Sequence, residues 1–126
     1  MQEHSKQVIQ HYIAAYNAFD VQGMIRDLHQ DIVFENISNG VVNLRTEGIE
    51  AFTSQAEAAK QYFSQRQQTV DSWSFQENNI TAAITYEARV ATDLPNGMKA
   101  GDTVKMTGQS EFRLKDGLII GITDKS

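Results

Sequence analysis

Across residues 80–90 the apolar side chains occupy alternate positions, Ile80, Ala82, Ile84, Tyr86, Ala88 and Val90, with Thr81, Thr85, Glu87 and Arg89 between them. Beyond Val8 they fall instead at Ile9, Tyr12, Ile13, Tyr16 and Phe19, one, three and four residues apart. The first period lays one side of a strand against a core, and the second gathers a stripe on one face of a helix. The change of period near Gln65 divides the chain into a helix-rich first half and a strand-only second half. Three turn signals, "ENN", "PNG" and "KDG", cut the second half into four strands of an antiparallel meander. In the strand at 104–114, Val104, Met106, Gly108, Ser110, Phe112 and Leu114 alternate with Lys105, Thr107, Gln109, Glu111 and Arg113. One face of this sheet is therefore core, and the other is wet or shared with a partner.

In the first half, Asp20 can cap a short second helix reaching about Leu28, because its carboxylate can accept from the free amides of the next turn. Gly23 weakens that helix by about 1 kcal/mol relative to alanine, so packing has to hold it. The strand "DIVFENI" then turns through "SNG" into "VVNLR", a hairpin whose turn residues tolerate positive φ. A third amphipathic segment follows Thr46 and runs to about Phe63, carrying Ile49, Phe52, Ala56 and Ala59. Helices covering the apolar face of a one-sided sheet define an α+β fold. The 126 residues suit one domain spanning 1–126, with no repeat or linker.

Sixteen acidic against eleven basic residues give a net charge of -5, the wrong sign for holding phosphate backbones or anionic membrane surfaces. The absence of cysteine removes disulfides, thiolate metal sites and thiol nucleophiles. His4 and His11 lie seven apart on the polar face of the first helix without a third ligand, so no metal or cofactor is expected. The start "MQEHSKQ" has no apolar stretch of a signal peptide, and the run "LIIGI" is too short to span a bilayer, which leads to the expectation of a cytoplasmic protein.

Two features point to a site. In "DIVFENIS" the alternation puts Asn36 on the same face as Ile32 and Phe34, an amide among apolar side chains. Such an amide can exchange hydrogen bonds with a polar group on a ligand, or bind backbone near the turn that follows. A two-residue loop at Asn78 and Asn79 would pair Phe75 with Ala82, Trp73 with Ile84 and Asp71 with Tyr86. Asp71 would then face inward beside a phenol, where its pKa would rise and it could work as acid or base. Tyr12, Tyr16, Phe34, Phe52, Trp73 and Tyr86 could ring an aromatic pocket, or simply fill the core.

The order of elements, with "FDVQGMIRDLHQDIVFEN", Gly48 opening "GIEAF", and "FRLKDGLIIGITD", resembles the nuclear transport factor 2-like superfamily and, within it, the SnoaL-like proteins. The resemblance implies a cone, cystatin-like in its α+β layout, in which three N-terminal helices pack on a curved, mostly antiparallel sheet around a pocket open at one end. Members include polyketide cyclases, ketosteroid isomerase, epoxide hydrolases and proteins without chemistry, so the fold alone does not choose among them. Asn36 stands at the position of the isomerase's general base, Tyr12 at that of its helix tyrosine, and Ser110 near that of its second acid. Against the cyclase ending "DxFRxxDGxIxEHWD", this chain keeps Phe112, Arg113, Asp116, Gly117, Ile119 and Asp124. It has Ser110 for the first aspartate and Gly121 and Ile122 for the Glu-His pair, which leaves Asp124 as the acid or base of that set. The resulting expectation is a SnoaL-like protein binding a small apolar molecule, with weak isomerase, cyclase or hydrolase chemistry on an apolar carbonyl compound. Asp71 or Asp124 would be the base and Tyr86 the hydrogen-bond donor. The resemblance also implies a homodimer paired through the sheet, and the alternative function is a non-catalytic interaction module.

Overall fold

The computed structural model describes residues 2–126, with side chains from Glu3 onward. The elements are helix α1 (Gln2–Asn17), helix α2 (Val21–Ile25), strands β1 (Leu28–Ser38) and β2 (Val41–Glu47), helix α3 (Ile49–Ala59) with a 3-10 turn (Lys60–Tyr62), then β3 (Phe63–Gln76), β4 (Asn79–Val90), β5 (Thr103–Lys115) and β6 (Leu118–Lys125). This is the expected α+β cone, helices against the inner face of one curved sheet. None of the described helices is long and apolar enough to cross a membrane.

Asp20 caps α2 by accepting from the Gly23 amide at 3.0 Å. A side chain at Gly23 would run into the Asp20 carboxylate, so the residue that weakens the helix also makes room for its cap. The helix ends earlier than its periodicity suggests: Leu28 belongs to β1, and Phe63 likewise opens β3 rather than closing α3. Both are apolar residues at a boundary where helical and strand spacing coincide, and strand pairing decides them. In the β1–β2 turn, Asn39 (φ 52°) and Gly40 (φ 78°) supply the two positive φ values that a tight hairpin requires.

The strand order is β2-β1-β6-β5-β4-β3. Every neighbouring pair is antiparallel except β1 and β6, which run parallel. Register therefore stacks side chains into rows across the inner face. One row runs Phe34, Ile122, Phe112, Ile80, Phe75 and forms the floor of the core. The next runs Asn36, Asp124, Ser110, Ala82, Trp73. Helix α1 contributes Val8, Ile9, Tyr12 and Ile13 to the core, as its stripe dictates. Phe112 and Ile122 are each 1% exposed, between the helices and the centre of the sheet.

One irregularity matters for everything that follows. The β3–β4 hairpin turns at Glu77 and Asn78 rather than Asn78 and Asn79, since Gln76 pairs with Asn79 and Phe75 with Ile80. Further along, Val70 pairs with Ile84 and Ser72 with Ala83, leaving Asp71 as the extra residue of a β-bulge. Beyond the bulge the alternation of β3 is inverted, so Val70, Gln68 and Arg66 face inward opposite Ile84, Tyr86 and Ala88.

Because Phe112 sits at the centre of the floor row with no water contact to spare, Phe112→Ala should cost about 3–5 kcal/mol. Urea unfolding would show it as a lower midpoint with an unchanged slope.

Candidate functional site

Where the helices stop covering the inner face, the second row opens into a cavity of about 400 Å³. Its wall is largely apolar and aromatic, with Tyr12 and Tyr16 from α1, Phe34 from β1, Phe52 from α3 and Tyr86 from β4. The exposed lining residues Met106, Lys125 and Ser126 mark the mouth. The volume suits a small organic molecule.

Asp124 is the acidic group of the wall. The parallel pairing sets it beside Asn36, and the antiparallel pairing sets it beside Ser110. Ser110 Oγ donates to Asp124 Oδ1 at 2.6 Å. Burial pushes the carboxyl up from 3.8 to about 6, and the Ser110 hydrogen bond, which favours the anion, only partly opposes this. The end of the chain is held in place: the Ser126 amide donates to the Ile37 carbonyl at 2.9 Å, and the Asn39 amide donates to the Ser126 carbonyl at 3.1 Å. Position near the terminus therefore does not fray the site.

Asn36 lines the same cavity, and its Nδ2 donates to Asn43 Oδ1 at 2.8 Å. Its amide is thus anchored by a side chain of the neighbouring strand and not by the turn backbone. On the opposite wall, Tyr16 donates its hydroxyl hydrogen to the Tyr86 oxygen at 3.1 Å. Tyr86 then has its own hydroxyl hydrogen to give. Burial raises the pKa of both phenols, and for Tyr16 the neighbouring Tyr86 adds to the effect. Tyr12 is raised chiefly by burial and secondarily by Asp124, with Arg66 opposing.

The structure corrects two sequence expectations. Asp71 does not face the cavity: as the extra residue of the bulge it turns to the outer surface, is exposed, and accepts from Thr85 Oγ1 at 2.6 Å. A uniform two-residue alternation would have kept it inside. Trp73 is inward but lies beyond the cavity, stacked on Phe75 at 6.0 Å between centroids with the Lys6 ammonium 5.6 Å from its ring. Tyr12, Tyr16, Phe34, Asn36, Phe52, Tyr86, Ser110 and Asp124 are brought together around the one space.

Arg66 was not legible as a site residue. It is 6% exposed, lies with its guanidinium carbon 3.8 Å from the Tyr16 ring centroid and 4.4 Å from that of Phe19, and donates from Nε to the Tyr16 carbonyl at 2.8 Å. That bond closes the C-terminal end of α1, where a cation is favoured by the helix dipole. In sequence it stands within "SQRQQ", a stretch with no apolar alternation to announce a face. Gln68 also turns inward, its backbone bonded in both directions to the Asn17 side chain.

The residues of the cyclase pattern that this chain lacks are also explained locally. Ile122 occupies the floor row between Phe34 and Phe112, where it completes the core. Gly121 has the Arg113 guanidinium lying over it, in space that a side chain would need.

No curated protein sequence matches this one significantly. Among solved structures, a candidate polyketide cyclase from Xanthomonas campestris pv. campestris superposes with a TM-score of 0.82 at 19% identity, over 98% of this chain and 90% of that one. TsrD from Streptomyces laurentii gives a TM-score of 0.78 at 19% identity, over 98% and 88%. An LEH-like epoxide hydrolase from M. tuberculosis gives 0.78 at 14% identity, over 98% and 82%. At these identities the similarity is one of fold. The SnoaL-like domain model matches residues 9–122, nearly the whole length, and with the cone and its open cavity this shows that the chain belongs to the SnoaL-like family of the nuclear transport factor 2-like superfamily.

Proposed function

We propose that the cavity binds a small, largely apolar carbonyl compound and that Asp124 moves a proton on it. The observation that carries this reading is a carboxyl at the cavity wall, raised to about 6 by burial and, among the described residues, hydrogen-bonded through Oδ1 alone. At neutral pH it is mostly ionised yet more basic than a carboxylate in water, which suits a general base. Its Oδ2 would take a proton from the carbon next to the carbonyl. The electron pair would move onto the carbonyl oxygen, where the Tyr86 hydroxyl would donate a hydrogen bond to the developing charge. Return of the same proton from Asp124 to the far carbon of a β,γ-unsaturated ketone would complete an isomerisation, and attack of the enolate on an internal carbonyl carbon, with the new alkoxide taking the proton back from Asp124, would complete a cyclisation. Asn36 would offer a neutral second contact without taking part in proton transfer.

Solvent deuterium exchange into cyclic ketones, followed by NMR, tests this directly. Asp124→Asn should slow the catalysed exchange at least about 100-fold, and Tyr86→Phe should slow it by roughly ten-fold to a thousand-fold. Equal exchange in the parent protein and Asp124→Asn would remove the acid–base reading.

The same carboxyl has a cost in stability. Between about pH 4 and pH 6 the folded chain binds the Asp124 proton more tightly than the unfolded chain does, so stability falls as pH rises through that window and then levels off. The loss once Asp124 is fully ionised is about 3 kcal/mol. Asp124→Asn should therefore be more stable than the parent at pH 8 by up to that amount, with the difference vanishing below about pH 4, as read from urea midpoints at the two pH values.

A second reading, a non-catalytic pairing module, draws support from Val41 (64% exposed) and Val42 (49%) on the edge strand β2. Exposed apolar side chains on an unpaired edge invite a partner. On that reading Val42→Lys converts a dimer to a monomer in sedimentation velocity, and a parent protein that already sediments as a monomer removes it.

A further inference from the structure

The charged side chains of the cavity wall are Arg66, Asp124 and Lys125. Two of them have partners: Asp124 is held by Ser110, and Lys125 Nζ donates to Glu111 Oε2 at 2.7 Å. Arg66 has none of opposite charge. Among the described residues no carboxylate lies within ion-pair distance of it, its one hydrogen bond is from Nε to the Tyr16 carbonyl, and its buried Nη2 has no acceptor. Stacking on Tyr16 and Phe19 offsets part of the desolvation of the guanidinium. It leaves the buried Nη2 without the acceptor that a buried cation requires, while Nη1, also without a hydrogen bond among the described residues, is the nitrogen that a ligand can reach.

The bulge at Asp71 is what brings this cation in. Without it, Gln67 rather than Arg66 would face inward at this end of β3. Gln68, the next inward residue, lines the cavity as well. Arg66 and Asp124 line the same cavity as the phenols of Tyr12 and Tyr86, so it presents a cation, aromatic walls and an acid to one ligand.

We propose that Arg66 is an anion-receiving subsite and that the natural ligand is an apolar carboxylic acid, its carboxylate on the guanidinium and its hydrocarbon body on Tyr12, Phe34 and Phe52. This rests on the reading of the cavity as a site for apolar carbonyl compounds and narrows it to those carrying a carboxylate. A carboxylate gives the guanidinium a charge-assisted hydrogen bond, whereas an ester offers no charge and a weaker acceptor. The rest of the ligand then extends towards Asp124.

Calorimetric titration at pH 8 with a panel of one-, two- and three-ring aryl-acetic acids and their methyl esters tests the proposal. The acids should bind the parent protein at least about tenfold more tightly than their esters. Arg66→Gln, with its fold verified by circular dichroism, should bind both forms alike, and Arg66→Lys should keep part of the preference. The comparison within the parent protein stands even if Arg66→Gln fails to fold. Equal binding of acids and esters by the parent, or a preference that survives in folded Arg66→Gln, overturns the subsite while leaving the carbonyl-binding reading intact. Binding of neither form overturns both.

Discussion

The parallel pairing of β1 with β6 joins the first hairpin to the meander, and the site depends on it. It is the contact through which a hairpin made early in the chain and a strand made last become neighbours in one sheet. Because the pairing is in register at Asn36 and Asp124, two polar residues 88 positions apart sit side by side. The antiparallel partner on the far side of β6 adds Ser110, so three strands supply one polar cluster. One row nearer the base of the cone, the same pairings deliver Phe34, Ile122 and Phe112 to the core. Core and site are successive rows of one sheet, and the difference between them is how far the helices reach.

The cavity holds two charges that folding would gain by losing. Burial disfavours the Asp124 anion, and the Arg66 cation is stacked on aromatic rings with a single backbone bond. They are not each other's partners, and they line the same cavity as Tyr12 and Tyr86. Separation of this kind is unfavourable for stability and useful for recognition, since a ligand with a carboxylate at one end and a reactive carbon at the other would answer both. The Tyr16–Tyr86 pair adds an oriented donor at little cost, because each hydroxyl helps to satisfy the other.

The sequence made the helical stripe of α1, the alternation of β4 and β5 and the β1–β2 and β5–β6 turns legible, because each depends on neighbours a few positions away, while the β3–β4 turn fell one residue earlier than expected. It also exposed most of the cavity wall: Tyr12, Phe34, Asn36 and Tyr86 sit on faces that local period assigns correctly. The parallel β1–β6 contact was not legible, because nothing near Asn36 names a partner at Asp124; only the family likeness brought Asp124 forward. The bulge was not legible either. An extra residue in a long strand leaves the apolar pattern ambiguous where that strand is as polar as "SQRQQTVDS", and the inward assignment of Asp71 failed there. Arg66 stayed hidden for the same reason, since its face is defined only after the bulge has been counted.

The bulge also has a consequence for how such a pocket can change over generations. Strand β3 behaves like a reading frame: smoothing out the bulge while keeping residue 71 would exchange the inward set of Arg66, Gln68 and Val70 for Gln67, Thr69 and Asp71, whereas deleting residue 71 would remove the bulge and leave the present set inward. A substitution that lost the bulge and kept residue 71 would thereby turn a cation out of the cone and an acid into it, with this end of β3 slipped by one residue against β4 while Trp73, Phe75 and the floor row kept their partners. Reversal of the charge presented to a ligand would then need no substitution at the wall itself, only a change in where the strand is irregular.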